Sequence, residues 1–353
     1  MKAFRAPDET RAQARTWDVV AAAFAEREPQ RRKRRVPARP LVALAVVGAL
    51  AGVAFTAPGH AVLTSVRKAV GIEHAQRALY SLPTRGRLLV GPWIVDADGS
   101  IRRLGSYDET SWSPFGRFVV ATRGDTLYAL TADGTVRWKL GQPVVRYPRW
   151  TGTHVDTRIA YFSGQRLRVV AGNGTNDREV GPLMGADLPP AWRPGGAPFT
   201  LAYADLRGRV WVFEPDSGKL VYRTHGGPKP LKLTWSSDGE RLLVLRARTA
   251  DVYDVHGRHT EHLTGRFVDA AFVGSRLALL SPHAVELSGR TLFRTTGRLR
   301  QVVPSPDGRW LLLTWPEADQ WLFVRTAGRH RVTADANIAE QLDGAFSVAG
   351  WTS

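Results

Sequence analysis

Trp235-Ser236-Ser237-Asp238-Gly239 decides the fold, together with the apolar runs Arg241-Leu242-Leu243-Val244-Leu245 and Asp251-Val252-Tyr253-Asp254-Val255 and the turn His256-Gly257-Arg258 that follow it. An aromatic residue at the end of one strand, a tight turn, two apolar strands, a second Gly turn and a further strand make one unit. Asp-Gly here, and Ser-Gly at Ser217-Gly218 in a sister unit, place glycine where the backbone needs a positive φ, so the turns are chemically sound.

The unit recurs on both sides of this stretch. Upstream, Trp112-Ser113-Pro114-Phe115-Gly116 leads into FVVAT, LYAL, Ala132-Asp133-Gly134 and VRWKL. Trp150 leads into IAYF and LRVVAG, and Trp192-Arg193-Pro194-Gly195 into TLAYA, VWVFE and LVYRT. Downstream, Phe272-Val273-Gly274-Ser275 precedes RLALL and AVEL, and Pro304-Ser305-Pro306-Asp307-Gly308 precedes RWLLLTW and WLFV. The markers Trp112, Trp150, Trp192, Trp235, Phe272 and Pro304 are spaced by 38, 42, 43, 37 and 32 residues. Short strands and turn signals at this period are the pattern of β-propeller blades.

Residues 87–104 match strands two to four of a blade and lack a first strand, whereas Ala345–Trp351 matches a first strand alone, with Trp351 as its marker. Six units plus this composite give an all-β, seven-bladed propeller over residues 86–353. Six and eight blades are the neighbouring counts, because the units at Phe272 and Pro304 are degenerate. The C-terminal strand is expected to be innermost in its blade and mostly buried.

Trp235-Ser236-Ser237-Asp238-Gly239 and Ser305-Pro306-Asp307-Gly308 resemble the W-S-P-D-G blade motif of TolB-like and WD40-like bacterial propellers, and Trp112-Ser113-Pro114-Phe115-Gly116 is a variant of it. The resemblance covers about three quarters of the chain and implies the architecture; propellers host too many activities for it to imply a function. TolB-type proteins are soluble, so the partners of that family are not carried over.

Ahead of the repeats, residues 41–57 (LVALAVVGALAGVAFTA) carry no charge. As a helix they span about 25 Å, within the usable range for a single transmembrane pass. Arg31-Arg32-Lys33-Arg34-Arg35 and Arg39 flank one side, and the other side has no basic residue before Arg67. This asymmetry puts residues 1–40 in the cytoplasm and the propeller outside. A cleaved signal peptide and a buried core helix are the rival readings of the same run. Trp17, Val20 and Phe24 share one face of a short amphipathic helix that offers a surface to a cytoplasmic partner. Val62, Val66 and Val70, closed by Gly71, read as a helical connector within residues 58–85.

The chain of 353 residues carries a formal charge of +17. Of this, residues 1–40 hold eleven basic against five acidic side chains. No recognition helix or aromatic-basic motif accompanies the charge, which speaks against nucleic acid as a partner. The absence of cysteine excludes disulfides, thiolate metal sites and Cys nucleophiles.

No nucleophile elbow, zincin, phosphate-loop or dinucleotide motif is present, so no catalytic, cofactor or metal residue is assigned. Asp96-Ala97-Asp98-Gly99 reads as a hairpin turn rather than a calcium loop, since two arginines follow it. Asp238 and Asp307 read as caps on their own turns. Ser65-Val66-Arg67-Lys68 fits S-x-x-K without its partner motifs and reads as coincidence. His256, His259 and His262 read as solvated turn residues, because strand alternation would scatter them and no carboxylate stands at helical spacing. The functional expectation is a non-enzymatic, membrane-anchored module that binds a protein or cell-envelope ligand. A propeller enzyme is the alternative, to be recognised by three or more carboxylates or histidines converging at one mouth of the channel.

Overall fold

The computed structural model describes residues 72–76 as backbone, and residues 81–181, 185, 187–345 and 347–353. The chain divides into two compact units, Met1–Val42 and Ala43–Ser353, and the described residues lie in the second. The helix expected around Trp17, Val20 and Phe24, the run 41–57, Ser65–Lys68 and the Val62–Val70 stripe fall outside the described residues. Among the described residues no helix is long and apolar enough to cross a membrane.

Seven sheets form an all-β propeller. Blade one is composite, with β29 (Val348–Thr352) paired to β2 (Arg87–Val90), β3 (Trp93–Val95) and β4 (Ile101–Arg103). Blade two is β5 (Glu109–Trp112), β6 (Phe118–Arg123), β7 (Thr126–Thr131) and β8 (Val136–Gly141). Blade three runs β9 (Val145–Gly152), β10 (Thr157–Ser163), β11 (Arg166–Ala171) and β12 (Arg178–Glu179), and blade four β13 (Ala191–Trp192), β14 (Leu201–Ala204), β15 (Val210–Glu214) and β16 (Lys219–Arg223). Blade five is β17 (Lys232–Trp235), β18 (Arg241–Leu245), β19 (Thr249–Asp254) and β20 (His259–Thr264). Blade six is β21 (Asp269–Val273), β22 (Arg276–Ser281), β23 (Ala284–Leu287) and β24 (Arg290–Arg294). Blade seven is β25 (Gln301–Pro304), β26 (Trp310–Trp315), β27 (Gln320–Arg325) and β28 (Val332–Ala336).

The first strand of each blade is innermost. These seven strands touch one another in a closed circuit, β29 to β5 to β9 to β13 to β17 to β21 to β25 and back to β29. Closure is as the sequence leads one to expect: Leu88 stands opposite Trp351 and Val90 opposite Val348. The burial expected of that strand is only partly met, since Val348 is buried while Trp351 remains half-buried. The two middle strands of each blade are the apolar runs of the sequence, and they are buried because both faces pack on neighbouring blades. Outer strands such as β8 and β20 are mostly exposed, and β20 is mostly polar as well. The long gap before Trp351 is filled by a one-turn helix, Ile338–Gln341, which seats Ile338 in the core.

Within residues 58–85, after the valine stripe, the structure has a strand that the sequence reading did not foresee. Residues Ile72–Gln76, β1, pair in parallel with β28 as a fifth strand of blade seven. The edge of β28 offers unpaired backbone groups that a strand satisfies and a helix does not.

Candidate functional site

The serine of the blade motif closes the first turn of its blade. Ser113, Ser236 and Ser305 each accept the backbone N–H five residues on, from Phe118, Arg241 and Trp310, at 2.9, 3.0 and 2.9 Å. Asp238 and Asp307 accept the amides of Glu240 and Arg309, both at 3.0 Å, so they are the local caps that the sequence suggested. Asp98 likewise caps its hairpin through the amide of Ser100.

The marker aromatics stand at or near the ends of the inner strands, and two of them reach the blade before. Trp192 donates its indole N–H to the carbonyl of Arg149 at 2.9 Å, and Trp235 to that of Ala191 at 3.2 Å. Each acceptor directly precedes the neighbouring marker in sequence. The same register would send Trp150 to Ser111, but the indole nitrogens of Trp150, Trp112 and Trp351 are buried without a hydrogen-bond partner. Phe272 and Pro304 have no donor to offer.

At Trp150 the interface between blades two and three opens into a cleft of about 450 Å³. Its walls are the first turns of the two blades, the end of β8 and the turn after β11. Trp150 stacks on Phe118 with ring centroids 6.0 Å apart, and Trp138 from β8 donates to the carbonyl of Gly172 at 2.9 Å. Across the opening, Phe115 from one blade stacks on His154 from the next at 3.8 Å. Among the described residues Arg117 and Arg137 line the cleft, and no acidic side chain does. Phe115 is 41% exposed and Val155 95%, large apolar groups left in solvent beside it. A second groove of about 430 Å³, between blades three and four, is lined by the outer-strand residues Arg178 and Leu220 and by Trp211 of β15, and does not reach a marker. The cleft can hold an apolar or aromatic group on its floor and an anion at its arginines.

The channel side is built for closure. Glu109 accepts the amide of Tyr147 at 2.5 Å. Lys232 bonds to Asp269 at 2.8 Å, and Asp269 also accepts the amide of Val302 at 2.8 Å. Gln301 exchanges two hydrogen bonds with the backbone of Val348. Burial pushes the Glu109 carboxyl above its ordinary value and lowers that of the Arg149 guanidinium. These carboxylates tie inner strands together rather than converging. Among the described residues the group of three metal-ligating side chains lies elsewhere, on blade five: Asp251, His259 and His262.

That group corrects the reading of the histidines as scattered turn residues. His259 and His262 lie on β20, and the register shifts so that Tyr253 faces His259 while Val252 faces Glu261, leaving Thr260 as an extra residue. A bulge of one residue turns a spacing of three into a shared face. The carboxylate comes from the adjacent strand: Asp251 Oδ1 lies 2.6 Å from His262 Nδ1 and 3.1 Å from His259 Nε2. His256 stands in the preceding turn, outside the group.

No family model matches the chain, and no curated protein matches it. Solved structures do. The "Crystal Structure of Mitotic Checkpoint Complex" aligns at TM-score 0.54 and 14% identity over 74% of this chain and 83% of that one. The Cps50 (Swd1) β-propeller domain of Myceliophteria thermophila aligns at TM-score 0.52 and 13% identity, over 67% and 94%. The Dos1 propeller aligns at TM-score 0.50 and 12% identity, over 63% and 70%. At this identity the likeness shows the fold alone, a seven-bladed β-propeller.

Proposed function

We propose that the chain is a non-enzymatic, membrane-tethered binding module. Residues 41–57 form a single span with residues 1–40 in the cytoplasm, and the propeller outside docks an acidic, aromatic-bearing protein segment in the cleft between blades two and three. The observation that carries the binding site is the cleft itself, with its aromatic floor, two arginines, no carboxylate and the unpaired indole N–H of Trp150 among its walls. The fold supports docking over catalysis, since the channel-side carboxylates are spent on inter-strand bonds. The anchor rests on the uncharged run and its one-sided basic flank. The face bearing Trp17, Val20 and Phe24 passes occupancy to a cytoplasmic protein.

A panel of peptides carrying Trp or Phe among Asp and Glu, matched to a panel with Lys and Arg instead, tests the site on the detergent-solubilised full chain. Acidic peptides are expected to bind selectively, and Arg117→Glu with Arg137→Glu to remove the selectivity. Equal binding of both panels, or no effect of the charge reversals, would overturn the assignment.

A further inference from the structure

We infer that Asp251, His259 and His262 form a binding site for a divalent transition metal of the zinc class on the outer rim of blade five. The donor set is two imidazole nitrogens and one carboxylate oxygen, all within 4.8 Å of one another. This mixture suits zinc and its neighbours and not calcium or magnesium, which take oxygen.

The surrounding residues fix the donors from behind. Asp251 is buried, and its Oδ2 is held by Arg246 Nη1 at 3.0 Å and Thr249 Oγ1 at 3.3 Å, which leaves Oδ1 to the histidines. Arg246 is itself buried and anchored on the carbonyl of Pro228 at 3.0 Å, so the carboxylate cannot swing away. The Tyr253 ring lies 5.0 Å from that of His259 and limits its rotation. Such partners orient the ligands of a metal site.

Tetrahedral coordination with bonds of about 2.0–2.2 Å sets neighbouring donors about 3.3–3.5 Å apart. The present separations of 2.6 and 3.1 Å open to that spacing by small rotations of the two imidazoles, whose side chains are 50% and 44% exposed. The metal then replaces the protons shared between each imidazole and Oδ1. Its remaining positions face solvent, because every residue of β20 is exposed. The Arg246 charge draws electron density from the carboxylate, so binding is weaker than at a closed structural site.

Cobalt(II) titrated into the full chain reads the site directly through its visible absorption. One equivalent is expected to bind with tetrahedral-type bands that zinc abolishes. His259→Ala and His262→Ala should each eliminate the bands, while His256→Ala leaves them intact. Both replaced side chains are surface groups, and circular dichroism checks that the variants fold; zinc should also raise the thermal midpoint of the parent and not of the variants. Absence of the bands in the parent, their survival in either Ala variant, or their loss in His256→Ala would overturn the site.

Discussion

The interface between blades three and four and the one between blades two and three begin from the same residue type and end differently. At the first, Trp192 fills the seam and bonds to the carbonyl of Arg149. At the second, Trp150 occupies the corresponding place, its indole N–H finds no acceptor, and the seam opens into the aromatic cleft. A marker tryptophan is therefore a packing element that becomes an inter-blade latch only when the preceding strand presents its carbonyl. At Trp150 a buried unmet donor lies beside an accessible apolar floor; Trp112 and Trp351 share the unmet donor but line neither groove. The difference teaches that the blade motif specifies the ring, while the seam where a lost latch coincides with an open aromatic cleft, that at Trp150, is the surface free to bind something else.

Ring closure sets the scale of the largest effect. Deleting residues 345–353 strips β29 from β2 and exposes Leu88, Leu89 and Val90, all fully buried. It also removes the backbone partner of Gln301. Loss of a single large buried side chain costs about 3–5 kcal/mol, against a typical domain stability of about 5–15 kcal/mol. The expected outcome is loss of cooperative thermal unfolding, and an unchanged midpoint would refute the closure.

Asp335 is another buried polar group left unmet, here an acceptor. It lies on β28 with Oδ2 unpaired, and burial pushes its carboxyl up to about 7. The folded state thus holds the proton more tightly than the unfolded chain, whose value is 3.8. The stability that this group contributes is complete below about pH 4 and is lost as pH rises through about 7. Asp335→Asn should flatten that decline and stabilise the protein at pH 8 by about 2–4 kcal/mol. Denaturant midpoints at pH 5 and pH 8 check it, and a parallel pH profile in parent and variant would refute it.

Trp→Phe substitutions give the smaller and sharper contrast. At Trp192 or Trp235 the change deletes a made hydrogen bond and orphans its carbonyl, for a loss of about 1–2 kcal/mol. At Trp150 it deletes an unmet donor, so the stability should hold or rise slightly. Equal losses at Trp150 and Trp235 in urea titrations would mean that the two seams are not different in kind.

Much of this was legible in the chain. The marker spacing, the aspartate turn caps and the mixed-terminus closure all follow from local signals: strand alternation, Asp-Gly turns and a first strand missing at one end and present at the other. What was not legible depends on register. His259 and His262 share a face only because Thr260 bulges, and Asp251 joins them across a strand pair, so neither periodicity nor spacing along the chain reveals the group. The failure of the Trp150 latch is equally invisible, because Trp150 and Trp192 look alike in sequence. The fifth strand at Ile72–Gln76 was missed for a third reason: a valine stripe just before it set the reading, and pairing to a distant edge has no local signature.

A photo-reactive phenylalanine analogue at Phe115, compared with the same analogue at Leu206, tests the binding surface most directly. Leu206 is 60% exposed in the turn between β14 and β15, on the opposite face of the ring. Irradiation of intact cells should give a discrete adduct from position 115 that Arg137→Glu suppresses, and none from position 206. An adduct from position 206 alone, or none from position 115, would contradict docking in the cleft between blades two and three.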